Sequence, residues 1–188
     1  DSIVDISAAS DDIAWAVGYD SETYSSNILK TVNGGEDWLI QDICHYTSCL
    51  SICAVDRNIV WAAGSHFVLR STDGGENWEF LEDAYSYYDL RKTCVFAIDE
   101  CTAWVVGDDS DIFEWGRVFR TNDGGVSWNE QLESVLAPCF VGAADCCNAW
   151  VVGRTGMIMH TSNGGDDWPD ILSLSPASGG SGAEVAIS

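Results

Sequence analysis

Positive charge is scarce in this sequence. Eight lysines and arginines stand against thirty aspartates and glutamates, which gives a formal net charge of −22. A field of this sign repels phosphate backbones and anionic lipid, so nucleic acid is not expected as a partner. No apolar run reaches the ~18 residues that a membrane-spanning helix needs, and we therefore expect no membrane insertion.

Signatures of catalysis and of cofactor binding are also missing. The sequence has no Gly-x-Ser-x-Gly motif and no phosphate-binding loop. Its six arginines are few for a sialidase-like carboxylate site, and thirty acids allow no single pair to be chosen as the carboxylates of a glycosidase. We therefore expect no catalytic residue, no metal and no cofactor, and we favour a protein that is not an enzyme.

Cysteine, in contrast, is abundant. The eight cysteines include no Cys-x-x-Cys pair and no Cys/His cluster with the spacing of a zinc site. Disulfide bonds in an extracellular or other oxidising compartment are the better interpretation, with the pairing left open. The candidates are Cys44, Cys49, Cys53, Cys94, Cys101, Cys139, Cys146 and Cys147.

One pattern recurs four times and organises the chain. Each copy has a serine or threonine, Asp or Asn two positions later, then two glycines, and a tryptophan seven positions after the hydroxyl residue. An apolar, β-prone pair precedes each copy, so the pattern predicts a hairpin with an Asx-Gly-Gly turn. An acid that accepts the N–H groups of its own turn is structural rather than catalytic. The anchor residues are Asn33, Trp38, Asp73, Trp78, Asp123, Trp128, Asn163 and Trp168.

A second signature precedes each hairpin. It is Trp-x-x-Gly, and it begins at Trp15, Trp61, Trp104 and Trp150. Two repeat positions thus hold eight of the nine tryptophans, which predicts indole rings packed between neighbouring sheets. A period of 40 to 50 residues with about four strands in each unit is typical of β-propeller blades.

The hairpin pattern resembles the Asp-box, or bacterial neuraminidase repeat. That repeat marks β-propellers in sialidases, some endoglucanases, sortilin-type receptors and the photosystem II assembly-factor family. With Trp-x-x-Gly before each turn, the repeat style is most similar to the assembly-factor and sortilin-type propellers. The resemblance runs from about Ile3 to Ile171 and implies an all-β propeller of four-stranded antiparallel blades.

The repeats divide the chain into four blades. We predict them at about 1–41, 50–82, 93–132 and 139–172, with no helix. A Ser/Gly linker over 173–182 and a surplus strand of the first type over 183–188 would follow. The strand Ala183–Ser188 would pair with blade one or with a neighbouring subunit, unless the chain is a piece of a longer propeller.

Loops between the strands carry aromatic residues among acids. Such a face could bind sugars, peptides or a neighbouring subunit, or its rings could simply cover loop backbone. The acidic loop that begins at Asp108 lacks the register of a calcium site, so we interpret it as solvated surface. The candidate binding face consists of Tyr24, Tyr46, Tyr85, Tyr87, Tyr88 and Trp115.

These patterns favour a non-catalytic, secreted propeller that acts as a protein-interaction or structural module. Its partner would be a protein, including a second copy through Ala183–Ser188 in a head-to-tail filament built by strand exchange. Two alternatives stay open. One is a fragment of a carbohydrate-active, sialidase- or glucanase-like glycoside hydrolase with a carbohydrate ligand. The other is an assembly chaperone, as the resemblance to the photosystem II factor implies.

Overall fold

Four antiparallel sheets form the body of the protein. A computed structural model describes residues 2–23, 25–45, 48–65, 67–81, 93–108, 115–136, 138–166, 168 and 172–173. Each sheet contains four strands in chain order, so each is a simple meander, and we call each sheet a blade. The all-β propeller class predicted from the repeats is confirmed.

The strands of each blade pair antiparallel with their neighbours in sequence. Blade 1 contains β1 (Ser2–Ala8), β2 (Ala14–Asp20), β3 (Ser25–Thr31) and β4 (Leu39–His45). Blade 2 contains β5 (Cys49–Ala54), β6 (Val60–Gly64), β7 (Val68–Ser71) and β8 (Glu79–Leu81). Blade 3 contains β9 (Cys94–Ala97), β10 (Ala103–Asp108), β11 (Trp115–Thr121) and β12 (Asn129–Leu136). Blade 4 contains β13 (Pro138–Ala143), β14 (Ala149–Gly153), β15 (Met157–Thr161) and β16 (Leu172–Ser173).

Helical structure in the described residues is limited to one 3₁₀ turn, Arg154–Gly156, between β14 and β15. No helix there is long and apolar enough to cross a bilayer. The strands that carry Trp-x-x-Gly are buried on both faces in the middle blades, and every residue of β6 and β10 is buried. These strands therefore appear in the sequence as continuous apolar runs rather than as alternating patterns.

The hydrophobic core lies between blades rather than inside any one of them. Three clusters of buried side chains each combine residues from two successive blades. We call each such interface a seam. Trp15, Trp61 and Trp104 are fully buried at the three seams, where rings of this size remove much apolar area from water. The first strands of successive blades also lie side by side, so β1, β5, β9 and β13 form the inner edge of the arrangement.

Candidate functional site

Each Asp-box hairpin closes on itself through one set of hydrogen bonds. In the second box, Ser71 Oγ donates to Asp73 Oδ1 at 2.8 Å and accepts the N–H of Gly75 at 2.8 Å. Asp73 Oδ1 also accepts the N–H of Asn77 at 2.9 Å. Gly74 and Gly75 have φ of 75° and 91°, which a residue with a Cβ adopts only with strain. The other three boxes repeat the bond from the second glycine N–H to the hydroxyl at 2.9 Å.

Two of the box acids are held in the ionised state. The side chain and the N–H of Asn77 are the main causes that lower the pKa of Asp73 to about 2. The hydroxyl and the N–H of Ser127 do the same for Asp123, whose pKa is also lowered to about 2. A carboxyl group with so low a pKa is a poor general acid near neutral pH. These acids therefore stabilise their turns.

The box turn is fastened to the first turn of its own blade. In every blade the N–H of the first box glycine donates to a carbonyl in the turn between the first two strands, so both turns lie at the same end of the blade. The bonds are Gly34 to Asp12 at 3.0 Å, Gly74 to Asn58 at 2.8 Å, Gly124 to Cys101 at 2.9 Å and Gly164 to Cys147 at 2.8 Å.

At each seam a lysine or arginine side chain, which we call the seam cation, reaches from one blade to the next. It stands just before the box hydroxyl residue and donates to a backbone carbonyl of the following blade. It also lies over the buried tryptophan of its own blade, with 5.1 to 5.5 Å to the ring centroid, which adds a cation–π attraction. The bonds run from Lys30 Nζ to Gly74 O at 2.7 Å, from Arg70 Nη1 to Glu100 O at 3.0 Å, and from Arg120 Nη1 to Gly164 O at 2.9 Å.

The box tryptophan of the following blade completes the seam. Trp128 of blade 3 meets Trp61 of blade 2 edge to face, with ring centroids 6.3 Å apart. Trp78 and Trp168 pack against the clusters that contain Trp15 and Trp104. Each seam thus has a donor half, the buried tryptophan with its cation, and an acceptor half, the box hairpin of the next blade.

Side chains also join the inner strands. The polar residue at one repeat position of β1, β5 and β9 accepts a backbone N–H from the inner strand of the next blade. We call Asp5, Ser51 and Cys94 the inner-strand hooks. Asp5 Oδ2 accepts the N–H of Ile52 at 2.9 Å, Ser51 Oγ accepts the N–H of Val95 at 3.3 Å, and Cys94 hydrogen-bonds to the N–H of Val141.

Cysteine thiols therefore act as hydrogen-bonding groups within the fold. Cys53 Sγ accepts the N–H of Ala97 at 3.4 Å and lies 3.7 Å from its carbonyl oxygen. Burial raises the pKa of both Cys53 and Cys94, which keeps these thiols protonated. The structure does not confirm the predicted disulfides for five cysteines, whose thiols are free: Cys53, Cys94, Cys101, Cys146 and Cys147. The side chain of Cys44 lies outside the described residues.

A groove of about 340 Å³ runs along the inner strands. Val4 and Phe140 are exposed at its two ends, and Thr93 is buried in it. The Thr93 hydroxyl has no hydrogen-bond partner within the described part of the chain. The groove therefore combines apolar rims with an unsatisfied polar group. Its lining consists of Val4, Asp5, Leu50, Ser51, Thr93, Cys94, Cys139 and Phe140.

Potential metal-binding donors come together at one exposed turn of the described chain. Ligand atoms of Asp145, Cys146 and Cys147 lie within 4.8 Å of one another, and the two sulfur atoms are 3.5 Å apart. The Asp145 carboxylate already accepts the N–H groups of Cys147 and Asn148 at 2.8 Å, and these bonds lower its pKa. Hydrogen bonding within the turn thus accounts for its geometry without an ion.

The predicted aromatic binding face falls almost wholly outside the described residues. Trp115 opens β11 opposite Leu136, so its backbone belongs to a strand rather than to a loop. Asp108 ends β10, and the rest of its acidic loop is not described. The loop-face hypothesis and the pairing of Ala183–Ser188 therefore stay predictions. Residues outside the described part include Tyr24, Tyr46, Tyr85, Tyr87, Tyr88 and Ala183–Ser188.

Sequence reasoning missed the inner-strand groove and its hooks. A usable signal was present, because Asp5, Ser51 and Cys94 are polar or weakly polar residues at one register in strands that are otherwise mostly apolar. A polar group that recurs at one position of strands lying side by side requires a hydrogen-bond partner wherever it is buried. The partner is a backbone N–H of the next blade, which the order of the repeats could have suggested.

Comparisons with known proteins agree with this architecture. The family model described as "Photosynthesis system II assembly factor YCF48" matches residues 85–187. A structure of YCF48 bound to D1 peptide superposes with a TM-score of 0.58 at 17% identity, and it covers 92% of this chain and 68% of that one. YCF48 from Cyanidioschyzon merolae gives a TM-score of 0.61 at 21% identity, with 93% of this chain and 57% of that one covered.

A glycoside hydrolase shares the fold as well. The GH74 xyloglucanase from Xanthomonas campestris matches with a TM-score of 0.70 at 12% identity, covering 95% of this chain and 32% of that one. Among curated proteins none matches. The chain spans 68%, 57% and 32% of these three solved structures, so it corresponds to only part of each. The family model covers more than half of the chain, and the chain therefore belongs to the photosynthesis system II assembly factor YCF48 family.

Proposed function

We propose that the chain is a non-catalytic, protein-binding propeller of the assembly-factor type, which holds a segment of a client protein in the inner-strand groove. Membership of the YCF48 family supports this proposal. So does the YCF48 structure that contains a bound D1 peptide, although that ligand belongs to that protein. Of the hypotheses drawn from the sequence, these findings favour assembly chaperone over secreted filament subunit.

The groove itself carries the proposal. Thr93 is almost completely buried there, and its hydroxyl has no partner within the described residues. A buried polar group without a partner costs about 1–3 kcal/mol, and the backbone of a bound segment would satisfy it. Val4 and Phe140 offer apolar contacts on either side for alternate side chains of an extended segment.

The net charge of the chain indicates which client segments would bind in the inner-strand groove. The chain carries a net charge of −22, and its field attracts cationic partners and repels anionic ones. An extended segment with apolar residues flanked by lysine or arginine would therefore bind in preference to an acidic segment. Added salt would weaken the attraction by screening, while the apolar contacts would persist.

Peptide binding tests this function. Fluorescence anisotropy would compare an extended apolar peptide with lysine flanks and the same peptide with glutamate flanks. We expect binding of the first and about tenfold weaker binding by the Phe140→Ala variant, because an aromatic anchor supplies much of the energy of such a site. Phe80→Ala is the matched control, since Phe80 is also exposed but lies on the outer strand β8. Equal loss in both variants, or no preference for the basic peptide, would contradict the proposal.

The remaining hypotheses receive less support. The likeness to the xyloglucanase is at 12% identity and concerns the fold alone, and the carbohydrate-active alternative stays a prediction. Strand exchange through Ala183–Ser188 concerns residues outside the described part. An extracellular or other oxidising location also stays a prediction.

A further inference from the structure

The turn between the first two strands follows one plan in blades 2, 3 and 4. An aspartate closes it, and its Oδ1 accepts the N–H groups of the residues two and three positions later at 2.6 to 2.8 Å. These aspartates are Asp56, Asp99 and Asp145. In all three blades the two residues that follow the aspartate are exposed. The plan therefore presents two neighbouring side chains to solvent.

In blade 4 both of these exposed positions hold cysteine. Cys146 and Cys147 correspond to Arg57–Asn58 in blade 2 and to Glu100–Cys101 in blade 3. The two sulfur atoms lie 3.5 Å apart, and both thiols are free. The corresponding residues of blades 2 and 3 are exposed although those blades have a neighbour on each side. The exposure of the cysteine pair therefore does not depend on what lies beside blade 4.

Three hydrogen bonds hold the backbone of the cysteine pair in place. Arg120 Nη2, which comes from blade 3, donates to Cys146 O at 2.9 Å. The N–H of Gly164 donates to Cys147 O at 2.8 Å, and the N–H of Cys147 donates to Asp145 Oδ1 at 2.8 Å. The turn is thus positioned before any ligand arrives, so binding there would require little further ordering of the backbone.

The pair is better suited to holding an ion than to forming a disulfide. The Cα atoms of adjacent residues lie about 3.8 Å apart, which is shorter than the ~4.4 Å at which the usual disulfide range begins. A bond between Cys146 and Cys147 would therefore strain the turn. A tetrahedral ion with bonds of about 2.3 Å to sulfur instead holds two sulfur atoms about 3.8 Å apart. The observed separation of 3.5 Å is close to that spacing.

We propose that Cys146 and Cys147 chelate one thiophilic divalent ion such as Zn²⁺ through both sulfur atoms, with water completing the coordination. Each sulfur binds as a thiolate, and its proton passes to solvent. Thiolates are soft ligands that select zinc over hard cations such as Ca²⁺. A ligand oxygen of Asp145 lies within 4.8 Å of both sulfur atoms and adds negative charge. None of these residues lines the inner-strand groove, so the proposal is independent of peptide binding.

Cadmium titration of the reduced protein tests the chelate, because thiolate ligation of Cd²⁺ gives an ultraviolet charge-transfer absorption that carboxylate ligation does not give. Excess Ca²⁺ would occupy the acidic surface. We expect saturation at one Cd²⁺ per chain and displacement of Cd²⁺ by Zn²⁺. Cys146→Ser and Cys147→Ser should each bind at least about 100-fold more weakly, since loss of a partner outside the first shell alone costs about 10–100-fold.

Cys101→Ser is the matched control. Cys101 holds the position of Cys147 in the same turn of blade 3, and its thiol is exposed, but the residue before it is Glu100 rather than a second cysteine. We expect this variant to bind Cd²⁺ as tightly as wild type. Equal weakening in all three variants, unchanged binding in both blade 4 variants, or no charge-transfer absorption in wild type would overturn the proposal.

A measurement on the wild type avoids dependence on variants. Iodoacetamide labelling followed by mass spectrometry would compare the alkylation rates of the exposed thiols with and without Zn²⁺. We expect Zn²⁺ to slow alkylation of Cys146 and Cys147 together by at least about tenfold, because a sulfur bound to the ion is a weaker nucleophile than a free thiolate. Cys101 should react at an unchanged rate. Slowing of only one cysteine of the pair, or equal slowing of Cys101, would exclude the two-sulfur chelate.

Discussion

The seam between blades 2 and 3 and the outer side of blade 4, which we call the tail face, are built on corresponding strands of the repeat but differ in their neighbours. At the seam, Trp61 is fully buried beneath Arg70 and against Trp128. At the tail face, Trp150 occupies the same position, stacks on His160 and is partly exposed. The repeat therefore determines the shape of each blade, while the presence of a next blade determines how much that blade buries.

Replacing the two tryptophans should give the largest difference. Trp61→Ala removes a fully buried ring and should lower the free energy of unfolding by about 3–5 kcal/mol. Trp150→Ala should cost about 1 kcal/mol, because part of its ring already contacts water. Urea unfolding at low protein concentration measures both. Equal costs would mean that the seam does not distinguish the two positions.

Alanine substitutions at two box glycines would separate the cost of backbone strain from the cost of overpacking. Gly35 and Gly125 have similar φ of 92° and 87°, so alanine at either position carries left-handed strain of about 1–2 kcal/mol. A Cβ on Gly125 would also collide with Leu81 across the seam, and overpacking adds about 1–3 kcal/mol. Gly125→Ala should therefore destabilise more than Gly35→Ala in thermal unfolding. The reverse order would contradict the seam geometry.

The seam cation should make a moderate contribution. Arg70→Met keeps the aliphatic stem over Trp61 but removes the donor to Glu100 O and the ion pair with Glu79 on the neighbouring strand, and we expect a loss of about 1–2 kcal/mol in the free energy of unfolding. His160→Met is the matched change at the tail face, where Nε2 has no acceptor among the described residues. It should be within about 0.5 kcal/mol of wild type. A large effect there would contradict the assignment of that face as open.

The smallest effect at neutral pH should come from the box acids. Their pKa of about 2 in the folded protein lies below the ~3.9 of an unfolded aspartate, so they stabilise the fold above that value and lose this contribution as pH falls towards 2. The double variant Asp73→Asn, Asp123→Asn copies the natural Asn33 and Asn163 boxes. We expect a urea midpoint at pH 7 slightly below that of wild type and a flatter decline between about pH 4 and pH 2, because the contribution that wild type loses there is already absent from the variant. A decline as steep as that of wild type would exclude these two acids as its source.

Sequence alone predicted most of the fold because its determinants are local. The Gly-Gly pair requires positive φ and the Asx residue accepts its own turn's N–H groups, so each hairpin follows from eight consecutive residues. The exposure of Trp38 and Trp150 could not follow in the same way. The sequence around Trp38 follows the same pattern as that around Trp78, and the sequence around Trp150 follows the same pattern as that around Trp61. The exposure differs because a neighbouring blade is present in one case and not in the other, and the local sequence carries no information about that neighbour.

The groove was harder to predict, because its walls come from distant parts of the chain. Val4, Leu50 and Phe140 lie in different repeats and share no residue type. The cysteines illustrate the same difficulty. Their number suggested disulfides, but Cys53 and Cys94 sit at positions where neighbouring repeats carry serine or aspartate, and they take over the same hydrogen-bonding task.

Within the described chain, every hydrogen bond between two backbone groups stays inside one blade, and the hydrogen bonds that cross the seams all involve a side chain. Adding or deleting a whole blade by gene duplication or loss would therefore cut no β-ladder. The new neighbours would need the tryptophan, the cation, the small hydrogen-bonding side chain and the apolar residues that the existing seams share. The number of blades can therefore change without breaking a sheet, whereas an insertion or deletion inside a blade would break one.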